Sequence, residues 1–271
     1  MVGKDMVERT RGKNIQRFPT GETVEDVVAV EEPLKIRLHG EDLVVLMRTP
    51  GHDQALVAGF LLAEGVVETP DDIRSIAPCA DEDDADNVMA VELREGCPWD
   101  PESVRRTALS STSCGVCGKT TIDNLLARCK PFGQFITLDE ELLNDAPQRA
   151  HELQTLFAST GGIHAAALLR NADRTMVGFA EDVGRHNAID KVLGRALLDG
   201  QTPLDGHVLW VSGRSSFDVI QKALAARVQG VICVGAPTSM AVELAQESRL
   251  TLVGFSKDSS RYNVYAGSVR R

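Results

Sequence analysis

The first part of the chain alternates apolar and polar residues with a period of about two, the spacing typical of β-strands. Five β-branched runs show it: "EDVVAV", "LKIRLHG", "DLVVLMRTP", "DIRSIAP" and "NVMAVELR". Residues 53–64 differ, because their apolar residues recur at helical spacing. They predict a helix with Asp53 as its N-cap and Gly65 as its stop. The polar first twenty or so residues predict a loose segment.

From residue 162 the pattern changes to longer units. "GIHAAALLR" and "TMVGFA" predict paired strands around the turn "NADR", and "EDVGRHNAIDKVLGRALLDG" predicts a loop and an amphipathic helix. Strand, helix, strand, helix and strand follow: "HVLWVS", "SFDVIQKALAARVQG", "VICVGAP", "SMAVELAQESR" and "LTLVGF". This order is typical of a parallel sheet with right-handed crossovers. We therefore predict an α/β protein, with a smaller β-rich domain at 1–105 and an α/β domain at 106–271.

The composition is that of a folded globular protein, and its charge narrows the function classes. The 271 residues are 43% hydrophobic, and 29 basic against 39 acidic side chains give a formal net charge of -10. General nucleic-acid binders carry a basic face, so we expect no nucleic-acid partner. An anionic ligand is compatible with this charge, because helix N-termini bind anions locally. The acidic run "DEDDAD" at residues 81–86 is interpreted as a solvated loop rather than a metal site.

The sequence shows neither a membrane span nor a signal peptide, which predicts a reducing compartment for its cysteines. No apolar run reaches the roughly 18 residues of a membrane span. The polar start "MVGKDMVERTRGKNIQRF" lacks the apolar region of a signal peptide. We therefore expect a cytoplasmic protein without a membrane partner, in which thiols stay reduced. The six cysteines, at positions 79, 97, 114, 117, 129 and 233, are not expected to form a disulfide framework.

Four loops of the second part share a composition that suits an anion: "EDVGRHN" (181–187), "SGRSS" (212–216), "GAPTS" (235–239) and "GFSKDSSR" (254–261). Loops that follow parallel strands meet at the carboxyl edge of a sheet, where ligands usually bind. Ser216 and Ser239 are predicted helix caps, and unpaired N–H groups with Arg214, Lys257 and Arg261 would suit phosphate. Glycine and serine are also ordinary turn residues, but the shared composition favours a polyanionic, nucleotide-like ligand. The chain has no Walker A sequence and no G-x-G-x-x-G after a strand.

The stretch "SSTSCGVCGKTTIDNLLA" places Cys114 and Cys117 three residues apart before a helical pattern. A structural zinc site needs four ligands, typically in two such pairs. The chain offers no second C-x-x-C, so we expect no zinc. A thioredoxin-like couple would follow a strand directly, whereas the preceding "ESVRRTALSSTS" has the composition of a loop. Redox cycling stays possible but lacks this context.

A nucleophilic thiolate fits the surroundings of the two thiols better. The predicted helix from Gly118 has apolar spacing at four positions: Ile122, Leu125, Leu126 and Cys129. Cys114 and Cys117 therefore precede a helix N-terminus and lie near Lys119, and both features favour the thiolate. Two inert cysteines in a turn are the plain alternative, which their polar, glycine-flanked position disfavours. Cys129 and Cys233 are interpreted as core residues.

Five ordered motifs between about residues 110 and 255 resemble one family: "CGVCGK", "GGIHAAAL", "EDVGRHNAIDKVLG", "SGRSSFDVIQKA" and "GAPTSMAVELA". Together they are similar to the formate dehydrogenase accessory sulfurtransferases, the FdhD-type sulfur carriers. The resemblance implies a cytidine-deaminase-like mixed sheet with flanking helices in the C-terminal part. The deaminase signature of H-x-E with P-C-x-x-C is absent from the sequence, so neither deamination nor zinc carries over.

The resemblance also implies a reaction and its partners. Members of the family accept sulfur from a cysteine desulfurase as a persulfide on the first cysteine of C-G-x-C-G, which is Cys114 here. They transfer it to the molybdenum cofactor, in its bis(molybdopterin guanine dinucleotide) form, before that cofactor enters formate dehydrogenase. We expect Cys117 to be auxiliary. A homodimer is implied as well.

The resemblance places the cofactor-binding segment after the last strand of the sheet, at Phe255, Ser256, Lys257, Asp258, Ser259 and Ser260. Loop chemistry adds further cofactor-binding candidates: Ser212, Gly213, Arg214, Arg185 and His186. His186 would bond a phosphate or base, or cap its own loop, and Arg185 would pair with phosphate, Asp182 or Asp190. His164, inside an apolar strand, is interpreted as an interior histidine.

Two other functions compete with sulfur transfer. A non-catalytic chaperone that binds the guanine-dinucleotide molybdenum cofactor would need the loop edge but no reactive thiol. Replacing Cys114 by serine distinguishes the two, since a chaperone tolerates that change and a carrier does not. A nucleotide hydrolase is disfavoured, because the sequence lacks a Walker lysine and a clear set of metal-binding carboxylates.

Overall fold

The computed structural model describes residues 8–79, 85–97, 125–257 and 261–271. Its first part contains six strands and one α-helix: β1 (Thr10–Arg17), β2 (Glu22–Ala29), β3 (Glu32–Leu38), β4 (Glu41–Arg48), α1 (Asp53–Glu64), β5 (Ile73–Pro78) and β6 (Val88–Leu93). β1 and β2 form an antiparallel hairpin, and the other four strands form a sheet in the order β4-β3-β6-β5. The five predicted strands of this part are confirmed.

The prediction of a loose first segment is wrong from residue 10 onward, because β1 pairs with β2 along its whole length. In that register Ile15 lies opposite Val24, and both are half-buried. The polar residues around Ile15 carry no strand signal of their own. Pairing with a more hydrophobic neighbouring strand supplies the hydrogen bonds and the apolar contact that the local sequence does not reveal.

The helix predicted over residues 53–64 is confirmed, and Gly65 ends it in a left-handed conformation with φ of 73°. The predicted N-cap is wrong: His52, at φ 59°, is the N-cap, and Asp53 is the first helical residue. Asp53 accepts hydrogen bonds from the guanidinium of Arg48 at 3.1 and 3.2 Å. Its carboxylate therefore neutralises a buried arginine instead of capping α1.

In its described residues the second part has a helical stretch at 125–128, where the predicted helix after the thiol motif continues. Five further α-helices and eight strands follow: β7 (Thr137–Asp139), α2 (Glu140–Leu153), α3 (Thr155–Thr160), β8 (His164–Arg170), β9 (Met176–Asp182), α4 (Arg185–Leu198), β10 (His207–Val211), α5 (Phe217–Ala225), β11 (Gly230–Cys233), α6 (Ser239–Ser248), β12 (Thr251–Gly254), β13 (Asn263–Ala266) and β14 (Ser268–Arg270). Six of these strands form one sheet in the order β13-β12-β11-β10-β8-β9. β14 pairs in parallel with β7.

The large sheet is mixed rather than wholly parallel. β10, β11 and β12 are parallel neighbours, as the strand–helix alternation predicts. β8 and β13 pair antiparallel with them on either side, and β9 pairs antiparallel with β8. The α/β class is thereby confirmed, while the likeness to cytidine deaminases stays a prediction. β9 and β10 point the same way, so their carboxyl ends lie at the same edge.

The predicted helix caps hold only in part. Ser216 occupies the N-cap position of α5 but its side chain makes no capping bond. Thr238, not Ser239, caps α6, and its side chain accepts a hydrogen bond from the Ala241 N–H. The prediction was displaced by one residue because threonine and serine are adjacent and both are good caps.

One hydrophobic core joins the two parts of the chain. It contains Leu34 and Ile36 of β3, most of α1, and the face of the large sheet that α4, α5 and α6 cover. α1 and α4 approach so closely that a Cβ on Gly59 would collide with the carbonyl oxygen of Asp190, and one on Gly194 with that of Ala55. The predicted boundary at residue 105 lies outside the described residues, and the division into two domains stays a prediction.

A second hydrophobic cluster covers the other face of the large sheet. It contains Trp210, Ile232 and Val253, which pack against Leu142 and Leu143 of α2. Both faces of the sheet are therefore covered, and its carboxyl edge is where loops can form a site. None of the helices in the described ranges is long and apolar enough to cross a bilayer.

Candidate functional site

Three of the predicted loops are joined by backbone hydrogen bonds at the carboxyl edge of the sheet. The N–H of Gly235 donates to the Gly213 carbonyl at 3.0 Å, and the N–H of Thr238 donates to the Ser215 carbonyl at 2.9 Å. The N–H of Phe255 in turn donates to the Gly235 carbonyl at 3.1 Å. The expectation that these loops lie together is confirmed, and they form one continuous rim.

The loop after β12 is held in place at its first two residues. Phe255 has a positive φ of 59°, and the guanidinium of Arg261 lies 5.1 Å from its ring centroid. Ser256 is buried, and its hydroxyl donates to the Leu143 carbonyl at 3.3 Å. Lys257 follows at the surface. The remaining predicted cofactor residues, Asp258, Ser259 and Ser260, lie outside the described residues.

In the loop after β10, one residue anchors the loop to the sheet and another exposes its charge to solvent. The hydroxyl of Ser212 accepts a hydrogen bond from the Ala165 N–H at 2.9 Å, which ties the loop to β8. Arg214 is exposed, and its side chain lies so close to Gly235 that a Cβ there would approach Arg214 Cγ to 3.0 Å. Of the predicted residues in this loop, Arg214 alone presents a charge to solvent.

His164 and Arg185 lie beside Gly213, and His186 contacts Arg185. A Cβ on Gly213 would lie 3.7 Å from Nδ1 of His164 and 3.9 Å from Cδ of Arg185. Arg185 Nε donates to His186 Nε2 at 3.3 Å, so Nε2 of His186 acts as an acceptor. The apolar sequence around His164 predicts an interior residue, but the structure places it at this rim. Its strand is apolar, and only the pairing of β8 with β10 brings its first residue to the edge.

Both histidines are neutral at physiological pH. Burial, followed by the nearby Lys222 charge, lowers the pKa of His186 to about 4, although Asp218 acts in the opposite direction. Burial and the Arg185 guanidinium lower the pKa of His164. The rim therefore combines cationic guanidinium groups with neutral imidazoles, which can accept as well as donate hydrogen bonds.

The loop that carries Arg185 and His186 is fixed by a buried ionic network. One Asp182 oxygen accepts from the N–H of Thr49 at 3.1 Å and lies 2.7 Å from Nζ of Lys191. The other accepts from the N–H of Gly184 at 2.8 Å and from the Asn187 side chain at 3.0 Å. Lys191 also donates to the Thr49 carbonyl at 2.7 Å. This network joins the "TPGHD" loop of the first part to the "EDVGRHN" loop, a contact that no local pattern predicts.

A second buried pair lies behind His186. Nζ of Lys222 lies 2.7 and 2.8 Å from the two Asp190 oxygens. In the described structure, Asp182 forms its ion pair with Lys191 and Asp190 forms its ion pair with Lys222, so neither carboxylate is paired with Arg185. The expected alternative in which Arg185 is neutralised by one of these carboxylates is wrong. The Arg185 guanidinium therefore keeps its charge available at the rim, beside Gly213 and His186.

A cleft of about 770 Å³ opens at the rim, between the sheet and the end of α2. Its polar lining includes His151, Gln154, His164, Ser212 and Lys257. Its apolar lining consists of Pro147, Phe157, Ile163, Trp210 and Val234. A cavity of this size and mixed lining is typical of small-molecule and nucleotide sites.

Trp210 gives the cleft a specific hydrogen-bond requirement. The residue is only 2% exposed, and its indole N–H has no partner within the described structure. Buried donors are nearly always satisfied in native proteins. Trp210 also lines the cleft, so a hydrogen-bond acceptor of a bound ligand that reached this N–H would satisfy it. Sequence analysis missed this residue, since an apolar strand with one tryptophan has the pattern of plain core.

The thiol motif at Cys114 and Cys117 lies outside the described residues, and so does Lys119. The chain after it is fixed at Arg128, whose guanidinium donates to the Glu64 and Ala63 carbonyls at 2.7 and 2.8 Å and so caps α1. Cys233 is a core residue as predicted, and burial raises its pKa to about 12. Cys129 is half-buried against the core. The described part of the chain contains no group of histidine, cysteine and carboxylate side chains that could hold a metal ion.

Sequence comparisons connect this chain to known proteins. A family model described as the FdhD/NarQ family matches residues 29–271. A Streptomyces coelicolor protein named sulfur carrier protein FdhD is 44% identical over 252 residues, covering 90% of this chain and 89% of that protein. A Nocardia farcinica protein of the same name is 43% identical over 268 residues, covering 96% and 94%.

The fold has a solved counterpart. A crystal structure from Desulfotalea psychrophila, described as that of a formate dehydrogenase accessory protein, matches with a TM-score of 0.73. The match covers 95% of this chain and 96% of the other, at 24% sequence identity. At that identity the likeness establishes a shared fold and nothing further.

Proposed function

The chain belongs to the FdhD/NarQ family, and from this premise we propose that it is a sulfur carrier that serves formate dehydrogenase. Relatives with that carrier name are more than 40% identical over nine-tenths of the chain. The family match carries this role, and the cleft at the sheet edge, with its unpartnered Trp210 N–H, supports a bound substrate. The volume and mixed lining of the cleft suit a large heterocyclic group.

The carrier group in this proposal is Cys114. Its thiolate attacks the outer sulfur of a persulfide held by a cysteine desulfurase. The new sulfur–sulfur bond forms on Cys114, the bond within the desulfurase persulfide breaks, and the desulfurase thiolate leaves. The transfer needs no oxidant, because one persulfide replaces another. The sequence around the motif supports a reactive thiolate, since the predicted helix N-terminus and Lys119 would both favour that form. Cys117 has an auxiliary role.

The acceptor is the molybdenum cofactor in its bis(molybdopterin guanine dinucleotide) form, which we treat as a bound substrate. A guanine ring presents two acceptors, O6 and N7, on one edge. The Trp210 N–H, buried and unpartnered, supplies a matching donor. Lys257 lines the same cleft. Phe255 and Ser256 precede it in the chain, and the predicted segment continues through Asp258, Ser259 and Ser260.

The phosphates of such a substrate would meet the rim. Arg185 and Arg214 supply charge, and both follow strand ends at the joined loops. His186, neutral because burial and Lys222 hold its pKa to about 4, can bond to either a donor or an acceptor. Ser212 and Gly213 keep the backbone of this loop close to β8. The partners in the proposal are a cysteine desulfurase, formate dehydrogenase and a second copy of the chain.

Intact-protein mass spectrometry tests the carrier role directly. The full chain is incubated with a cysteine desulfurase and cysteine, in parallel with Cys114→Ala, Cys117→Ala and the core control Cys129→Ala. We expect wild type and the control to gain one sulfur atom that reductant removes, and Cys114→Ala to gain none. Cys117→Ala should retain loading.

The same experiment separates the carrier from a non-catalytic cofactor chaperone. A protein that gains no sulfur in any form, and whose Cys114→Ser variant still supports formate dehydrogenase activity, would act as a chaperone instead. Equal loss of that activity in Cys114→Ala and Cys117→Ala would contradict the auxiliary role of Cys117.

A further inference from the structure

Gln154 lies at the break between α2 and α3, on the wall of the cleft. It is the single residue between the two helices, and its ψ of 65° departs from helical geometry. The residue is only 8% exposed, and it lines the cleft. Its side-chain amide makes no capping bond and no hydrogen bond to any described residue. Buried polar groups of native proteins nearly always have a partner, so this amide is available to a ligand in the cleft.

The helix break does not need the Gln154 side chain, because Glu181 caps α3 instead. The buried Glu181 carboxylate accepts hydrogen bonds from the N–H groups of Leu156 and Phe157 at 3.0 and 2.9 Å. At most helix starts the side chain of the N-cap residue satisfies such donors. Here a residue of β9 performs that role from a distance along the chain. The Gln154 amide is therefore released from the local task that its position would give it.

Gln154 and Trp210 give the cleft two complementary groups. Among the described polar residues that line it, these two alone are buried. Trp210 belongs to β10 of the sheet and can only donate, whereas the Gln154 amide, which comes from the helix side, can also accept. None of the described lining residues is an aspartate or a glutamate. The amide oxygen is therefore a buried, neutral acceptor for an amino group of a ring.

A guanine ring matches this pair of groups, since O6 and N7 accept on one edge and the 2-amino group donates on another. Adenine carries its amino group beside N7 and offers only an acceptor on the opposite edge. We propose that Gln154 determines which base the cleft accepts. Its amide oxygen accepts a hydrogen bond from the 2-amino group while Trp210 donates to the acceptor edge. The inference rests on the proposed function and deepens it by naming a residue that sets base selectivity.

Calorimetry with GDP and IDP on the full-length protein tests the proposal, because IDP lacks only the 2-amino group. We expect wild type to bind GDP about tenfold more tightly than IDP, as for the gain of one buried hydrogen bond. Gln154→Met is similar in size but has no acceptor oxygen, so it should bind the two nucleotides equally. Gln154→Glu retains an acceptor and should retain the preference, even where its added charge weakens both affinities.

Gln246→Met is the matched control, because Gln246 is exposed on α6, which covers the other face of the sheet. It should keep the wild-type preference, and thermal unfolding shows whether each variant is folded. The proposal is overturned if wild type binds neither nucleotide or both equally, if ADP binds as tightly as GDP, or if Gln154→Met keeps the preference. Loss of the preference in the control would also remove its assignment to Gln154.

The failure of this inference is distinguishable from the failure of the carrier role. Sulfur loading of Cys114 is measured by mass, in an experiment without nucleotide. If loading succeeds while Gln154→Met keeps the preference for GDP, only the assignment of Gln154 fails. If no sulfur is gained while the preference depends on Gln154, only the carrier role fails.

Discussion

The ammonium group of Lys191 lies 2.7 Å from a carboxylate oxygen of Asp182, and both side chains are almost completely buried. The same carboxylate accepts hydrogen bonds from Thr49, Gly184 and Asn187. A charge removed from water in this way is tolerated only when its partners are all present. This pair therefore decides whether the loop with Arg185 and His186 stays attached to the first part of the chain.

Asp182→Asn should destabilise the protein by about 3–5 kcal/mol, because it leaves the Lys191 charge buried without a counter-ion. Urea unfolding measures the loss of free energy. The matched control is Asp199→Asn, which breaks an exposed ion pair with Arg195 at 2.8 Å. Exposed pairs contribute about 0–1 kcal/mol, so the control should stay close to wild type. Equal stability of the two variants would contradict a supporting role for the buried pair.

Gly59→Ala and Gly194→Ala should each destabilise the protein by about 3 kcal/mol, since an added methyl group meets a carbonyl oxygen of the facing helix. Gly133→Ala is the control, because a Cβ at Gly133 has nothing within 4 Å. Thermal or urea unfolding gives the comparison. If all three variants unfold alike, α1 and α4 do not pack as closely as described.

Trp210 should report on guanine nucleotides. The chain has two tryptophans, and Trp99→Phe leaves Trp210 as the only one. We expect GDP to change the fluorescence of that variant in a saturable way. Trp210→Phe, studied by calorimetry, should weaken GDP binding about tenfold, as expected for the loss of one buried hydrogen bond.

ADP is the matched control ligand for this cleft. Adenine presents a donor where guanine presents O6, so its exposed edge suits the Trp210 N–H less well. If GDP binds tightly without any fluorescence response, or binds Trp210→Phe with unchanged affinity, the base does not contact Trp210. The sulfur-carrier proposal would stand in that case, since it is tested by mass.

Acid should destabilise the folded protein in part through His186. Its folded-state pKa of about 4 lies below the ordinary value of 6.5, because burial and then Lys222 disfavour the charged ring. The unfolded chain thus binds the proton first, and stability falls as the pH decreases from about 6.5 to about 4. His186→Gln should lose less stability over this window than wild type or the control His207→Gln. Parallel pH profiles for wild type and His186→Gln would show that the ring is not held neutral.

Cys233 should resist alkylation in the folded protein. It is fully buried, and burial raises its pKa to about 12, so the thiolate is scarce at neutral pH. Peptide mapping after brief iodoacetamide treatment should find Cys114 modified before Cys233. Modification of both at one rate would contradict the contrast between a carrier thiol and a core thiol. A repeat in denaturant should remove the difference.

Much of the fold follows from local pattern. The strands β2 to β6, the helix α1 and the alternation from β10 to β12 are each visible as a period in the sequence. β1 is not, because its polar residues acquire strand structure only by pairing with β2. The N-cap of α1 was misassigned for a similar reason, since the carboxylate of Asp53 is engaged by Arg48, which follows from tertiary contact.

The candidate site likewise has one part that the sequence predicts and another that only the tertiary structure shows. That the glycine- and serine-rich loops share one edge follows from strand direction, which sequence order predicts. That His164 and Trp210 belong to this edge does not, because both lie in apolar strands whose pattern is equally that of plain core. Their assignment depends on which strands are neighbours and on which buried polar atoms lack partners.

The sequence by itself determined the type of most elements, the edge where the loops meet and the family motifs, because each depends on residues close together in the chain. Only the tertiary structure decided how the loops are held. The bond from Thr49 to Asp182 joins residues 133 positions apart, and the pair of Asp190 with Lys222 spans 32. Such contacts are selected by burial and charge balance in the folded state, and local periodicity carries no information about them.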